Sequence, residues 1–138
     1  MEGPVISQIG KDITIIGSSF AAFQANKVAF ELNKKGISAE VIDLRVISPL
    51  KINLIIKSVK KTRRLLVLDS GNLFAGFSGE IIASVCEEID LGVLLAKPIR
   101  IALPNAPAPT PTILENLYYP SVEKITQKAL SLFSSSKI

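Results

Sequence analysis

Apolar positions along this chain follow two rhythms. Four stretches are short and nearly unbroken: Val5–Ile9, Asp12–Gly17, Ala39–Leu44 and Leu65–Leu68. Runs of this length, rich in β-branched residues, read as strands, and the unbroken ones as strands covered on both faces. Between two of them the spacing turns helical. Ile52, Ile55, Ile56 and Val59 form one stripe, and Lys51, Lys57, Lys60 and Lys61 lie opposite. Ser48-Pro49 precedes that stripe and suits a helix start, with Ser as cap and Pro at the first helical position. Strand, helix and strand in this order make a right-handed parallel crossover, so Gly36–Asp69 predicts an α/β unit.

The rest of the chain extends that unit. Gly17-Ser18-Ser19 leads into a helix expected to run to about Lys35, with Phe20, Phe23, Val28, Phe30 and Leu32 among its apolar positions. Gly36 ends it. Ser70–Ala75 reads as a loop, and Gly76-Phe77-Ser78 opens a helix bearing Ile81, Ile82, Val85 and Ile89. Pro98–Leu103 is the last expected strand. Asn105–Pro111 then changes character: Pro107, Pro109 and Pro111 impose stiff, extended surface backbone. Leu114, Leu117, Tyr118 and Tyr119 follow as an apolar cluster, which with Pro107 and Pro109 is expected to form an association surface. A final helix, about Ser121 to Phe133, is capped by Ser121 and turns Val122, Ile125, Ala129, Leu130 and Phe133 inward. The expected organisation is a linker and first edge strand over residues 1–10, one domain over 11–133, and a frayed tail over 134–138. This order of elements predicts a three-layer α/β/α, doubly wound fold.

Composition narrows the function classes. At 138 residues the chain is one domain, and 48% hydrophobic content is high enough to suggest apolar surface meant for a partner. No segment approaches the ~20 apolar residues of a membrane span, and no basic lead into an apolar core announces a secretory signal. The single Cys86 rules out an intrachain disulfide and suits a reducing compartment, so a cytoplasmic location is expected. Lys57, Lys60, Lys61, Arg63 and Arg64 supply much of the net charge of +4 at one helix end, where cations complement the dipole. Two Tyr, six Phe and no Trp offer few stacking platforms, which argues against nucleic acid.

No catalytic centre is visible. The chain has no His to activate a nucleophile or complete a soft-ligand metal site. Glu80, Glu87 and Glu88 share one expected helix; Glu80 reads as a first-turn acid. Gly17-Ser18-Ser19 at a strand-to-helix turn is a candidate weak anion site, because helix-start amides attract anions. The spaced glycines of a dinucleotide loop are replaced by Ser19 and Ala22, however, and Ser18 as a plain helix cap is the simpler reading. Asp43 is expected to pair with Arg45 or to cap the sheet edge.

Five segments in order carry a family resemblance: GPVISQIGKDITIIG (Gly3–Gly17), AEVIDLRVISPL (Ala39–Leu50), KSVKKTRRLLVLD (Lys57–Asp69), GFSGEI (Gly76–Ile81) and NAPAPTPTILENLYYPSVEKI (Asn105–Ile125). Together they resemble the C-terminal domain of transketolase-like thiamine-diphosphate enzymes. The likeness is greatest to the beta subunit of the first, decarboxylating component of 2-oxoacid dehydrogenase complexes. It implies a five-stranded mixed sheet in order 1-3-2-4-5 with strand 1 antiparallel, and a switch point between the strands ending at Gly17 and Asp69. It also implies that thiamine diphosphate and magnesium belong to the parent enzyme rather than to this chain, which supports subunit association. Expected partners are the other domains and subunits of a dimer or heterotetramer, and the acyltransferase core. Because the chain opens in what resembles an interdomain linker, it is expected to be a domain excised from a longer protein.

Two readings compete with this one. The parent could be a transketolase or a deoxyxylulose-phosphate synthase, or the chain could be a stand-alone regulator binding an anion or small molecule in the Gly17/Asp69 crevice. One departure stands out. Where relatives read His-Glu-Ala-Pro after the third parallel strand, this chain has Asp69-Ser70-Gly71-Asn72, and Ala75-Gly76-Phe77 replaces Gly-Gly-Phe.

Overall fold

The computed structural model describes residues 3–134. Five strands, β1 (Val5–Gln8), β2 (Ile13–Gly17), β3 (Ala39–Asp43), β4 (Leu65–Asn72) and β5 (Ile99–Leu103), form one sheet in the order β1-β3-β2-β4-β5. Only β1 runs antiparallel, against β3; the β2–β3, β2–β4 and β4–β5 pairs are parallel. Helices α1 (Phe20–Asn33), α2 (Asn53–Thr62), α3 (Phe77–Glu88), α4 (Thr112–Tyr118) and α5 (Val122–Ser134) complete the chain. The expected architecture and strand order are therefore those of the molecule.

Both faces of the sheet are covered. On one, Ile13, Ile15, Val41, Leu66 and Leu68 pack beneath α1 and α5; on the other, Ile16, Ile42, Leu65 and Val67 pack beneath α2 and α3. Every residue of β2 is buried, so its unbroken ITIIG run is a sheet centre rather than an amphipathic edge. The helices carry the polarity. In α2 the Ile55/Val59 stripe is buried while Lys57 and Lys60 face water, as its spacing predicts.

Helix α1 departs from expectation. Its buried face is Ala21, Ala22, Ala25, Val28, Ala29 and Leu32, whereas Phe20, Phe23 and Phe30 are 61%, 55% and 61% exposed. The reason is distance. A Cβ on Gly17 would lie 2.6 Å from the carbonyl carbon of Ala21, so the helix starts almost on the strand and only methyl groups fit beneath it. Three rings spaced along one stripe look like a core face, but the alanine stripe is the one narrow enough to dock. Gly36, at φ 78°, ends the helix as expected.

Several boundaries also move. Ser48-Pro49 does not start α2: that peptide is cis, Leu50 and Ile52 pack on the core first, and the helix begins at Asn53 without a side-chain cap. Ser18 is not the cap of α1, which begins after Ser19 (φ 54°) with no capping side chain. Strand β1 stops at Gln8, leaving Ile9 81% exposed. Strand β4 continues through Asp69 to Asn72, where a loop was expected, because its tip rejoins β5 past a register shift. Thr112–Tyr118, to which the sequence assigns no element, forms a short helix directly after the proline segment. Ser121 does cap α5, through a 3.2 Å bond from the Lys124 amide, and Leu132 joins the inward residues. Ser134 still belongs to α5; the remainder of the expected frayed tail, 135–138, lies outside the described residues.

A buried polar seam fastens α2 to the sheet. Thr14 on β2 meets Ser58 at 2.7 Å and Thr62 at 2.6 Å, and the Thr62 hydroxyl also donates to the Arg64 carbonyl at 3.2 Å. Beside it Glu40 on β3 is almost wholly buried and accepts from Lys61 and from the Gly10 amide. Burial alone pushes the Glu40 carboxyl up, but hydrogen bonds from Lys61, Ser58 and Gly10 and the Lys61 charge outweigh it and hold the group below its ordinary 4.5. Lys61, on the expected solvent stripe, is thus an internal partner as well as an exposed one.

A carboxyl held low stabilises the fold above its unfolded value and loses that contribution as pH falls through the lower, folded one. Denaturant melts of the wild type should therefore lose stability below about pH 4.5. Glu40→Gln should cost about 2 kcal/mol at neutral pH and flatten that part of the acid limb. Parallel acid limbs for the two proteins would contradict the assignment.

Candidate functional site

The carboxyl ends of β2 and β4 adjoin at the switch point of the sheet, the place where open α/β sheets hold ligands. At β2, Gly17 leads to half-buried Ser18 and exposed Ser19. The first helical amides are engaged within their own turn: Ala21 donates to the Ser18 carbonyl, and Ala22 and Phe23 to that of Ser19, all within 3.2 Å. The amides of Ala21, Ala22 and Phe23 are thus turned to carbonyls of the turn itself rather than toward the crevice.

At β4, Asp69 is turned inward. Its two carboxylate oxygens accept from the Gly71 amide at 2.8 Å and the Ser78 amide at 3.1 Å. The second bond makes Asp69 the acid for the α3 N-terminus, although it lies nine positions before Ser78. The departure Asp69-Ser70-Gly71-Asn72 therefore folds its acid back onto the chain's own loop rather than presenting it in the crevice. Ser78 is fully buried and its Oγ lacks a hydrogen-bond partner.

Those two groups give opposite expectations. Asp69→Asn offers one acceptor where two amides need one each, and should cost about 1–3 kcal/mol. Ser78→Ala removes an orphaned hydroxyl and should be neutral or stabilising by up to about 1 kcal/mol. Chemical denaturation of both variants checks the pair; a marked loss from Ser78→Ala would show that its hydroxyl has a partner.

The basic cluster after α2 is tied into the fold. Arg63 donates through Nε to the Val93 carbonyl at 2.8 Å, and Arg64 donates to the Leu132 carbonyl at 3.1 Å while lying 4.2 Å over the Phe133 ring. Lys60 and Lys61 occupy the last turn of α2. Asp43 accepts from the Arg45 amide at 3.2 Å and faces its guanidinium, as expected. Among the described residues no three His, Cys, Asp or Glu gather to hold a metal ion. No helix among them is long and apolar enough to cross a membrane.

The expected association surface is brought together around α4. That helix buries none of its residues: Ile113 is 78% and Leu117 71% exposed, with Leu114 and Tyr119 also exposed. Tyr118 is half-buried and its hydroxyl donates to the Ala106 carbonyl at 2.9 Å, which pins the proline segment to the helix. The Tyr118 and Tyr119 rings meet edge to face at 4.9 Å. Pro107 is exposed and Pro109 half-buried alongside. Between α4, α5 and β5 lies a cleft of about 420 Å³ floored by Ile101, Leu103 and Ile125, with Arg100, Lys124 and Lys128 at its margin. The outward Phe20, Phe23 and Phe30 were missed as surface residues; the alanine run beside them was the available signal.

Comparison with known proteins places this geometry. The family described as "Transketolase, C-terminal domain" matches residues 2–125. The chain belongs to that family. It is 44% identical over 124 residues to the mitochondrial pyruvate dehydrogenase E1 component subunit beta of Pisum sativum, covering 90% of this chain and 34% of that protein. To the acetoin:2,6-dichlorophenolindophenol oxidoreductase subunit beta of Cupriavidus necator it is 34% identical over 128 residues, 93% of this chain and 38% of that one. This transketolase C-terminal domain thus spans about a third of the length of the curated relatives it matches. Among solved structures, a split-gene transketolase described as an inactive beta4 tetramer shares the fold, with a TM-score of 0.76 and 24% identity over 94% of this chain and 42% of that one.

Proposed function

We propose that this chain is the C-terminal assembly domain of a thiamine-diphosphate-dependent 2-oxoacid dehydrogenase beta subunit. The observation that carries the proposal is the 44% identity to a pyruvate dehydrogenase beta subunit across nine-tenths of the chain. The parent enzyme decarboxylates a 2-oxoacid and passes the acyl group to a lipoyl arm. Thiamine diphosphate supplies the carbanion chemistry when bound, and magnesium accompanies it in the parent. The residues of this chain do not fit a metal–diphosphate site, which needs oxygen ligands brought together: the described acids form no cluster, and Asp69 is engaged with its own backbone. Its part is to hold subunits together through Asn105–Tyr119. A second reading, in which the parent acts on acetoin, is favoured by the identity to acetoin oxidoreductase beta subunits.

Calorimetric titration of the chain with thiamine diphosphate and magnesium should give no stoichiometric isotherm. Micromolar binding at one site per chain would overturn the assembly-only role. Separately, Ile113→Ser with Leu117→Ser should weaken association with the parent's other subunits by at least about tenfold. Both side chains lie outside the core, so the thermal midpoint should stay put. A double variant that assembles like wild type would remove α4 from the interface.

A further inference from the structure

The cleft between α4, α5 and β5 joins an apolar floor to a cationic margin. Ile101 and Leu103 of β5 and Ile125 of α5 make the floor, and Leu117 of α4 stands 71% exposed at one wall. A concavity of about 420 Å³ with such a floor is of the kind that covers a ligand's hydrocarbon. Arg100, Lys124 and Lys128 supply the charge, and no acid lines the cleft among the described residues. Glu115 on α4 and Glu123 on α5, the acids nearest in sequence, are not among its walls. Arg100 donates through Nη1 to the Leu73 carbonyl at 3.1 Å, and Lys124 reaches the Asn116 carbonyl at 3.4 Å. Both acceptors are neutral, so the positive charge of the margin has no counter-charge in the cleft.

The walls are fixed by the fold itself. The Tyr118 hydroxyl ties α4 to the Ala106 carbonyl at 2.9 Å, and Gln24 of α1 donates to the Pro120 carbonyl at 3.1 Å. Pro104 after β5 and Pro120 before α5 stiffen the backbone on either side. The Lys124 bond to Asn116 joins α5 to α4 directly. A cleft held in this way is pre-organised, so little ordering opposes a ligand.

We propose that this cleft binds a small amphipathic carboxylate, its aliphatic chain on the Ile101, Leu103 and Ile125 floor and its head among the three cations. Lys124 and Lys128 are one turn apart on α5, about 6 Å along the axis, so both ammonium groups reach one carboxylate. The two halves of the cleft select jointly. A bare anion would leave the floor wet, and a neutral hydrocarbon would leave the cations without a partner. A volume of about 420 Å³ lies toward the small end of ligand sites and suits one chain of about eight carbons rather than a two-chain lipid. Because Leu117 and the lysines stay open to water, the affinity is modest, with a dissociation constant on the order of 0.1 to 1 mM. The inference does not rest on the assembly role of α4: Ile113 is no part of the cleft.

Titration of the isotope-labelled chain with sodium octanoate, followed by amide NMR at neutral pH and fixed ionic strength, tests the site. Saturable shifts should centre on Ile101, Leu103, Lys124 and Lys128. Acetate, which lacks the tail, and octanol, which lacks the charge, should each bind at least about tenfold more weakly. Lys128→Gln changes an exposed side chain outside the hydrogen bonds that shape the cleft. It should weaken octanoate about threefold to tenfold at an unchanged thermal midpoint, and Lys124→Gln with Lys128→Gln should weaken it further. Ile113→Ser alone should bind octanoate like wild type, which keeps this site apart from the assembly surface. Four results would each overturn the proposal: no saturation by about 20 mM octanoate, shifts centred away from the cleft, acetate or octanol matching octanoate, or lysine variants that bind as wild type does.

Discussion

Everything in this fold follows from burying β2 on both faces. A strand with no exposed residue leaves its neighbours no amphipathic choice: β3 and β4 must flank it, and helices must close both sides. The seam of Thr14, Ser58 and Thr62, with Glu40 beside it, is what that burial demands of a sheet that includes polar side chains. Each hydroxyl of the seam finds another, and the buried Glu40 carboxylate finds a cation. Left without partners, those groups would oppose the packing that the isoleucines favour.

The same constraint explains what was legible in the sequence. Strand positions and the helix faces of α2, α3 and α5 follow from runs and stripes, because burial on a fixed period writes itself into residue type, whereas the strand order comes from the family resemblance. The boundaries that moved are those set by a specific contact. Whether α2 begins at Ser48 or Asn53 depends on Leu50 and Ile52 packing first, and whether β4 stops at Leu68 depends on where its tip meets β5. Helix α1 misled for a related reason. Hydrophobicity alone ranks Phe above Ala as a core residue, but the space above β2 at Gly17 admits only the smaller one.

The candidate site was less legible than the fold. A helix start beside a strand end at a switch point is a general invitation to ligands, and its value depends on which donors remain free. Here the Ser18 and Ser19 carbonyls occupy the amides of α1, and Asp69 occupies those of its own loop and of α3. No residue pattern announces that bookkeeping of donors, since it rests on backbone geometry. The proline segment was legible as stiff backbone, whereas its anchoring by the Tyr118 hydroxyl required the helical turn of α4 to be seen.

The division of α1 into an alanine face and a phenylalanine face has a consequence for how this domain can change. The apolar side chains that fix the helix on the sheet and the phenylalanines that meet the outside do not overlap; only polar residues between them, such as Asn26, touch both sides. Substitutions on the outer stripe can therefore create, retune or abolish a contact without drawing on the stability of the sheet below. Affinity and foldedness are separable traits in this helix, free to be altered one at a time.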